Sequence, residues 1–458
     1  MYIEQLYTNC LAEAAYYIES EGEAAIIDPL RETEPYINLA KKRGSVIKYV
    51  FETHFHADFV SGHIDLARKV NAPIIYGPMA NTKYEVINAT DGQEFKLGKI
   101  TFRVLHTPGH TPESSCFLLL DEKRNEYAVF TGDTLFVGDV GRPDLLDGVM
   151  SQDQLAGMMY DSLNTKIKTL KNETIVYPAH GPGSACGKNI GKETFSTIGE
   201  QKKFNYALKD QTREAFIHQL TDGITPPPAY FFEDARINKD GYEPIDNVIL
   251  ENTKPLSVAE FKSAIKTGAV VVDTRAADEF EKGYIPDSIN IGLNGQFAVW
   301  VGTLLDIRQP LLLITDKEKE AETILRLARV GYEKVVGYLD GGIPSWNGEL
   351  FTVRSITAEE MKGDIQSASE VLDVRKPGEW VISHVKRARF VPLANMPENL
   401  EGLHKNAPYI VHCGGGYRSM TAISLMRREG FTNLTNVYGG FTAMVNAGIE
   451  VVTGELVS

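Results

Sequence analysis

One stretch of this chain occurs twice, and that limits what the C-terminal half can fold into. PLSVAEFKSAIKTGAVVVDTRAADEFEKGYIPDSINI begins at Pro255, and SITAEEMKGDIQSASEVLDVRKPGEWVISHVKRARFVPL begins at Ser355. Asp273 and Arg275 of the first copy align with Asp373 and Arg375 of the second, and each copy later reaches a double glycine, Gly341-Gly342 and Gly439-Gly440. Two copies about 100 residues apart are too few and too long for a solenoid, so they predict tandem domains. Each copy reads as a helix (259–266 in the first), a β-branched strand (Val270–Asp273), a second strand (311–315 or Tyr409–His412) and another helix (321–330 or 419–428). Buried strands alternating with amphipathic helices predict a parallel α/β sheet in each.

The first ~250 residues follow another rhythm. Short apolar runs at 14–18, 24–27, 46–52, 74–76, 100–106, 115–120 and 128–131 predict many strands with few helices. Pro226-Pro227-Pro228 and the polar INKDGYE stretch read as a surface crossover into the repeats. The expected division is therefore 1–253, 254–352 and 353–458. The 458 residues carry a net charge of −14 and no Lys/Arg-rich run, which argues against nucleic acid or an anionic membrane as partner. No basic n-region with an apolar h-region opens the chain, and no apolar run reaches transmembrane length. Cys10, Cys116, Cys186 and Cys413 lie far apart without CxxC spacing, so a cytoplasmic protein with free thiols is expected.

Four short stretches of the N-terminal region carry metal-binding side chains where an apolar run stops: THFHADF (His54, His56, Asp58), TPGHTPES (His110), FTGDTLF (Asp133) and YPAHGPG (His180). A rigid sheet can aim such residues from distant positions at one point. A single buried histidine is usually a core residue, but four of the chain's ten histidines at such junctions are hard to assign to packing.

These stretches resemble the metallo-β-lactamase superfamily, whose pattern is HxHxDH followed by separate His, Asp and His. The resemblance covers about residues 1–250 and implies an αββα sandwich with metal between its sheets. Where the pattern has a second histidine after Asp58, this chain has Phe59, which offers no lone pair to a second metal. His54, His110 and Asp133 remain as two imidazoles and a carboxylate, the donor set of non-haem Fe(II) oxygen chemistry. The region is more similar to the persulfide dioxygenases than to the glyoxalase II hydrolases. That resemblance implies one Fe(II) per chain on those three residues, with His56, Asp58 and His180 orienting ligands or marking a vestigial second position. It also places Arg142, in FVGDVGRPDL, near the substrate's carboxylates, which an arginine fork suits. Cys186, in HGPGSACGKNI, is either a thiol at the metal mouth, activated by Lys188, or a buried structural cysteine. Cys10 and Cys116 read as core.

In YIVHCGGGYRSMTAIS, a strand ends at Cys413 and a helix begins near Ser419. The backbone N–H groups of Gly414, Gly415, Gly416 and Tyr417, with the helix N-terminus behind them, form a positive cradle for a sulfur anion, and Arg418 closes it. This resembles the rhodanese active-site loop, with arginine five positions after the cysteine. The first copy has Asp316 in place of Cys413, without glycines or a closing arginine, and resembles a degenerate rhodanese whose lysines and glutamates fill or repel an anion site.

Taken together, these readings predict a dioxygenase that converts a low-molecular-weight thiol persulfide and dioxygen to sulfite, coupled to sulfur transfer through Cys413 to give thiosulfate, in a homo-oligomer. The alternative is a zinc thioester hydrolase of the glyoxalase II type fused to a sulfur-carrier module.

Overall fold

The computed structural model describes residues 1–145, 150–364 and 369–454. The chain divides into two compact units, Met1–Val248 with Leu327–Gly331, and Ile249–Arg326 with the residues from Tyr332 onward.

The first unit is dictated by period-two alternation. Along the antiparallel pair Glu13–Ser20 and Glu23–Ile27, Ala14, Tyr16, Ile18, Ala25 and Ile27 face one core while Ala15, Tyr17, Ala24 and Ile26 face another. These strands lie inside a six-stranded sheet ordered Tyr2–Thr8, Glu13–Ser20, Glu23–Ile27, Val46–Phe51, Ile74–Tyr76, Ile87–Asn88. A second six-stranded sheet runs Ser196–Thr197, Ile175–Pro178, Glu126–Gly132, Ser115–Leu120, Ile100–His106, Glu94–Leu97. It sends Phe102, Val104, Phe117, Leu119 and Phe130 into the core shared with the first sheet. Leu105, Leu118, Leu120 and Val129 point the other way, onto helices Gln152–Ser162 and Arg213–Thr221. Helices Glu34–Arg43 and His63–Val70 cover the outer face of the first sheet. The result is an αββα sandwich. Each fully buried Phe in the shared layer contributes about 2–3 kcal/mol by leaving water.

The polar INKDGYE stretch is not a surface crossover. Ile237, Asn238, Lys239 and Asp240 complete the helix Tyr230–Asp240, and Asn238 is buried. Asn238 is polar because it binds backbone atoms of the loop carrying His56. Edge strands such as Tyr2–Thr8 and Glu94–Leu97 carry too many polar residues to stand out in the sequence.

The second unit holds two five-stranded parallel sheets with the same strand order. One runs Pro255–Leu256, Val335–Leu339, Leu311–Ile314, Val270–Asp273, Ile289–Asn290, and the other Arg354–Ile356, Leu434–Val437, Tyr409–His412, Glu370–Asp373, Arg389–Phe390. The repeat is exact in register: Asp273 pairs with Ile314, and Asp373 with His412. In each copy the aspartate is buried and holds the arginine two residues on, Arg275 or Arg375, through both carboxylate oxygens. The helix after Cys413 starts at Tyr417, two residues earlier than its apolar pattern suggests, because Gly416 turns the chain at φ 104°. No helix among the described residues is long and apolar enough to cross a membrane.

Candidate functional site

Strand ends of the first unit deliver the four histidines and two aspartates to one buried place. The Nε2 atoms of His54 and His110 lie 3.9 and 3.3 Å from Asp133 Oδ2, while His180 Nε2 lies 3.5 Å from Asp133 Oδ1 and 3.4 Å from Asp58 Oδ2. Three of these rings have their tautomer set from behind. The carbonyls of Arg142 and Ala12 accept from Nδ1 of His110 and His180, at 2.8 and 3.1 Å. Thr53 Oγ1, which donates to Asp28, accepts from His54 Nδ1 at 2.9 Å. Each ring therefore turns an Nε2 lone pair toward Asp133. Burial, and then the neighbouring imidazoles His56, His110 and His180, push His54 well below its ordinary value, so it is neutral near pH 7.

His110 Nε2, His180 Nε2 and both oxygens of Asp133 have no hydrogen-bond partner among the described residues, although all are buried. Orphaned lone pairs of this kind are costly unless a cation meets them. The ligand atoms of His54, His110 and Asp133 lie within 4.8 Å of one another, as do those of His56, Asp58 and His180, and those of Asp133, His180 and Cys186. This donor set fits a divalent transition ion.

In the second unit, Cys413 follows the strand Tyr409–His412, and its Sγ accepts the Gly416 N–H at 3.1 Å. The Cys413 carbonyl accepts from Phe441 N at 2.7 Å, and a Cβ on Gly440 would lie 2.4 Å from that oxygen. The second double glycine is thus required by close approach to the sulfur loop. Arg418 is held by both oxygens of Glu379, at 2.6 and 2.9 Å.

The sequence profile of the metallo-beta-lactamase superfamily matches residues 8–180, and that of the rhodanese-like domain matches 257–349 and 357–447. A probable hydroxyacylglutathione hydrolase of Schizosaccharomyces pombe is 32% identical over 210 residues, covering 41% of this chain and 78% of the relative. The chain belongs to the metallo-β-lactamase superfamily. A metallo-beta-lactamase of Staphylococcus aureus subsp. aureus COL shares the fold with a TM-score of 0.64 at 32% identity, covering 74% of this chain and 98% of that one. The mitochondrial persulfide dioxygenase ETHE1 of Homo sapiens is 30% identical over 189 residues, covering 41% of this chain and 66% of the relative.

Against the superfamily's HxHxDH pattern, Phe59 is fully buried, and its ring lies 4.4 Å from that of His56. Hydrocarbon stands where the pattern has an imidazole. His56 Nε2 faces Asp28 and Glu52 at 3.2 and 3.7 Å.

Two expected roles meet a different arrangement. The Arg142 fork is bound to Asp144 at 2.6 and 2.7 Å and to the carbonyls of Ala185 and Thr225, so it is not offered to a substrate; its own carbonyl orients His110. Cys186 does reach Asp133 and His180, but Lys188 does not activate it. Burial, then Asp58 and Asp133, push the thiol well above its ordinary value, and Lys188 Nζ donates instead to the carbonyls of Gln219 and Asp222. Cys10 is half-buried rather than core, whereas Cys116 is fully buried. At the degenerate copy the side chains do not fill the anion site. Asp316, Lys317 and Glu318 line a cavity of about 840 Å³ with Arg275 and Asp340.

A cavity of about 470 Å³ borders the metal-ligand loops. Phe55 and Ala57 flank His56, Thr111 and Pro112 follow His110, and the helix Tyr230–Asp240 contributes Phe232, Arg236 and Lys239. The sequence does not mark this groove, because the helix that supplies Phe232, Arg236 and Lys239 ends in the polar INKDGYE stretch, whose composition is that of a crossover.

Proposed function

We propose that the chain is an iron-dependent persulfide dioxygenase joined to a sulfurtransferase. The observation that carries this reading is the substitution at Phe59. It leaves His54, His110 and Asp133 as a complete three-ligand set and puts a phenyl ring in the place of a binuclear hydrolase's additional histidine. An Fe(II) ion held by those three residues would supply the redox chemistry that adds dioxygen to the terminal sulfur. The overall balance is RSSH + O2 + H2O giving RSH, sulfite and two protons.

The chain's own residues do the rest. Thr53, Ala12 and the Arg142 carbonyl keep the imidazoles in the ligating tautomer. The 470 Å³ groove receives the thiol carrier, with Phe55, Phe232 and Met79 as its apolar lining and Lys239 meeting its anionic groups, the Arg236 fork being taken up by Glu233. At the second unit the Cys413 thiolate attacks the outer sulfur of another persulfide and expels RS⁻. Sulfite then attacks that sulfur, the S–S bond breaks, and thiosulfate leaves as the Cys413 thiolate re-forms. The Gly416 N–H stabilises the anion in both states. Fusion of the two activities raises the local concentration of sulfite.

A second reading rests on Asp133, whose two oxygens face different histidines, as a bridging carboxylate's would. A zinc thioester hydrolase with two ions, at His54/His110 and at Asp58/His180, would use that geometry. Metal content after anaerobic purification, paired with oxygen uptake on glutathione persulfide, separates the two. One iron per chain with oxygen uptake is expected. Two zinc ions with cleavage of S-lactoylglutathione and no oxygen uptake would replace the proposal.

A further inference from the structure

A file of hydrogen bonds runs from the sulfur of Cys413 into the degenerate repeat. Cys413 Sγ lies 3.7 Å from Ser419 Oγ. Ser419 Oγ lies 2.8 Å from Asn436 Oδ1, and Asn436 Nδ2 lies 3.2 Å from Ser355 Oγ. Ser355 Oγ in turn bonds one carboxylate oxygen of Glu281, whose other oxygen accepts from the Tyr438 hydroxyl at 2.5 Å. Glu281 caps the short helix Ala277–Phe280 of the first copy, whereas Ser355, Asn436 and Ser419 belong to the second. Glu281, Asn436, Ser419 and Cys413 are all buried.

The direction of this file is fixed at its far end. A carboxylate only accepts, so Ser355 and Tyr438 both donate to Glu281. Ser355 has one hydroxyl proton, so its oxygen can only accept from Asn436. That makes the facing atom of Asn436 the amide nitrogen and turns Oδ1 toward Ser419. Ser419 then donates to Oδ1, and its other oxygen acceptor, the Gly416 carbonyl at 3.0 Å, also draws the proton away from sulfur. Ser419 therefore shows Cys413 a lone pair, which can take an S–H proton but offers nothing to a sulfur anion. Among the described residues, the donor to Sγ is the Gly416 N–H.

We propose that Glu281 is a positioning residue for Cys413, setting the polarity of the Ser355–Asn436–Ser419 relay so that the Ser419 proton is withheld from the sulfur anion. This rests on sulfur transfer at Cys413 and gives the degenerate repeat, which has no nucleophile of its own, a part in it. A sulfur anion denied that proton is the stronger nucleophile, because fewer donors stabilise it. The other charges facing Cys413 belong to neighbouring elements and are separate from the relay. Arg418 is paired with Glu379 and Arg375 with Asp373, Lys376 adjoins Arg418, and burial keeps His412 neutral.

Alkylation of Cys413 by iodoacetamide across a range of pH, followed on its peptide by mass spectrometry in the full chain, tests this without a sulfur-transfer assay. The thiolate attacks the reagent's carbon and iodide leaves. Glu281→Leu deprives the Ser355 proton of its acceptor, so the file can reverse: Ser355 donates to Asn436, Asn436 to Ser419, and Ser419 to the thiolate. The pH of half-maximal alkylation should then fall by about 0.5–1 unit, the size of one hydrogen bond gained by the anion. In a Ser419→Ala background the same substitution should change nothing, because the relay no longer reaches the sulfur. Glu281→Gln, which keeps the shape of the side chain, should lower the midpoint by less and replaces Glu281→Leu if that variant does not fold. An unchanged midpoint in the Glu281 variants that fold overturns the proposal. So does a fall that persists with Ser419→Ala, since it would mark a charge felt through space. A shifted midpoint in protein that forms no thiosulfate would sink sulfur transfer and leave the relay standing.

Discussion

Asn238 is the residue whose removal most directly tests how the metal loop is held. Its Nδ2 donates to the carbonyls of His56 and Phe59 at 2.7 and 2.8 Å, and its Oδ1 accepts from Ser61 N at 2.9 Å. All three bonds are buried. Truncation to alanine leaves three backbone groups without partners, at about 1–3 kcal/mol each, and water entering the vacated space recovers part of that. A net loss of about 3–5 kcal/mol follows. Part of it is borne by the loop itself, which relaxes and misplaces His54 and Asp58. Loss of such an outer support typically weakens metal binding 10–100-fold, or about 1.4–2.7 kcal/mol. Competition for Fe(II) against a chromophoric chelator under argon measures the affinity, and urea unfolding of the metal-free chain measures the stability. An affinity within twofold of the parent, with an unshifted unfolding midpoint, would refute the claim that the helix Tyr230–Asp240 holds this loop in place.

Three other outcomes are expected. Cys413→Ser should leave oxygen uptake intact and change the product from thiosulfate to sulfite, read by ion chromatography; an unchanged product defeats the coupling of the two activities. Phe59→His should raise the metal content from one ion per chain toward two, and a stoichiometry that stays at one shows that Phe59 is not what limits the second position. Burial, with His56 and Arg31 adding to it, pushes His63 down to about 3, so the folded protein keeps it neutral while the unfolded chain protonates it near pH 6.5. The stability from neutral His63 is therefore present above about pH 6.5 and lost as pH falls, by about 2 kcal/mol between pH 7 and 5. The adjacent Glu52, raised by burial and Asp28, works in the opposite sense, so the measurement is the difference in unfolding free energy between the parent and His63→Gln at the two pH values. A difference that does not change with pH contradicts a buried neutral His63.

The parts of the site that could be read from sequence are those encoded locally. His54, His110, Asp133 and His180 each stand where an apolar strand stops, so the pattern marks them without knowledge of the fold. The Cys413 loop is contiguous, and its glycines and arginine sit at fixed offsets from the nucleophile. The supports are not local. Asn238 binds a carbonyl 182 residues away, and nothing in INKDGYE marks it. Asp28 reaches Thr53 and His56 only because two parallel strands, Glu23–Ile27 and Val46–Phe51, end side by side. Arg142 shows the converse. Its motif position is legible, but the direction of its guanidinium depends on Asp144 and on carbonyls at Ala185 and Thr225, which sequence spacing does not fix.

Both sites share a feature that bears on how their charge is used. In each, the arginine that the motif puts forward is held by a nearby carboxylate in a two-point pair, Arg142 by Asp144 and Arg418 by Glu379. Removing either carboxylate would strand a poorly solvated guanidinium, so such a fork acts as a brace and its charge is largely cancelled. Lys376 shares a pocket of about 340 Å³ with the Arg418–Glu379 pair, and Lys239 lines the 470 Å³ groove; neither lysine has a carboxylate at ion-pair distance among the described residues. An ammonium on a flexible stem follows a ligand that arrives and leaves, which a two-point guanidinium pair cannot do. The paired arginines therefore brace their loops, and Lys239 and Lys376 are the charges that an anionic ligand would meet. Neutralising Lys239 or Lys376 should therefore weaken anion binding while leaving the loops intact, whereas replacing Asp144 or Glu379 should disturb the loops themselves.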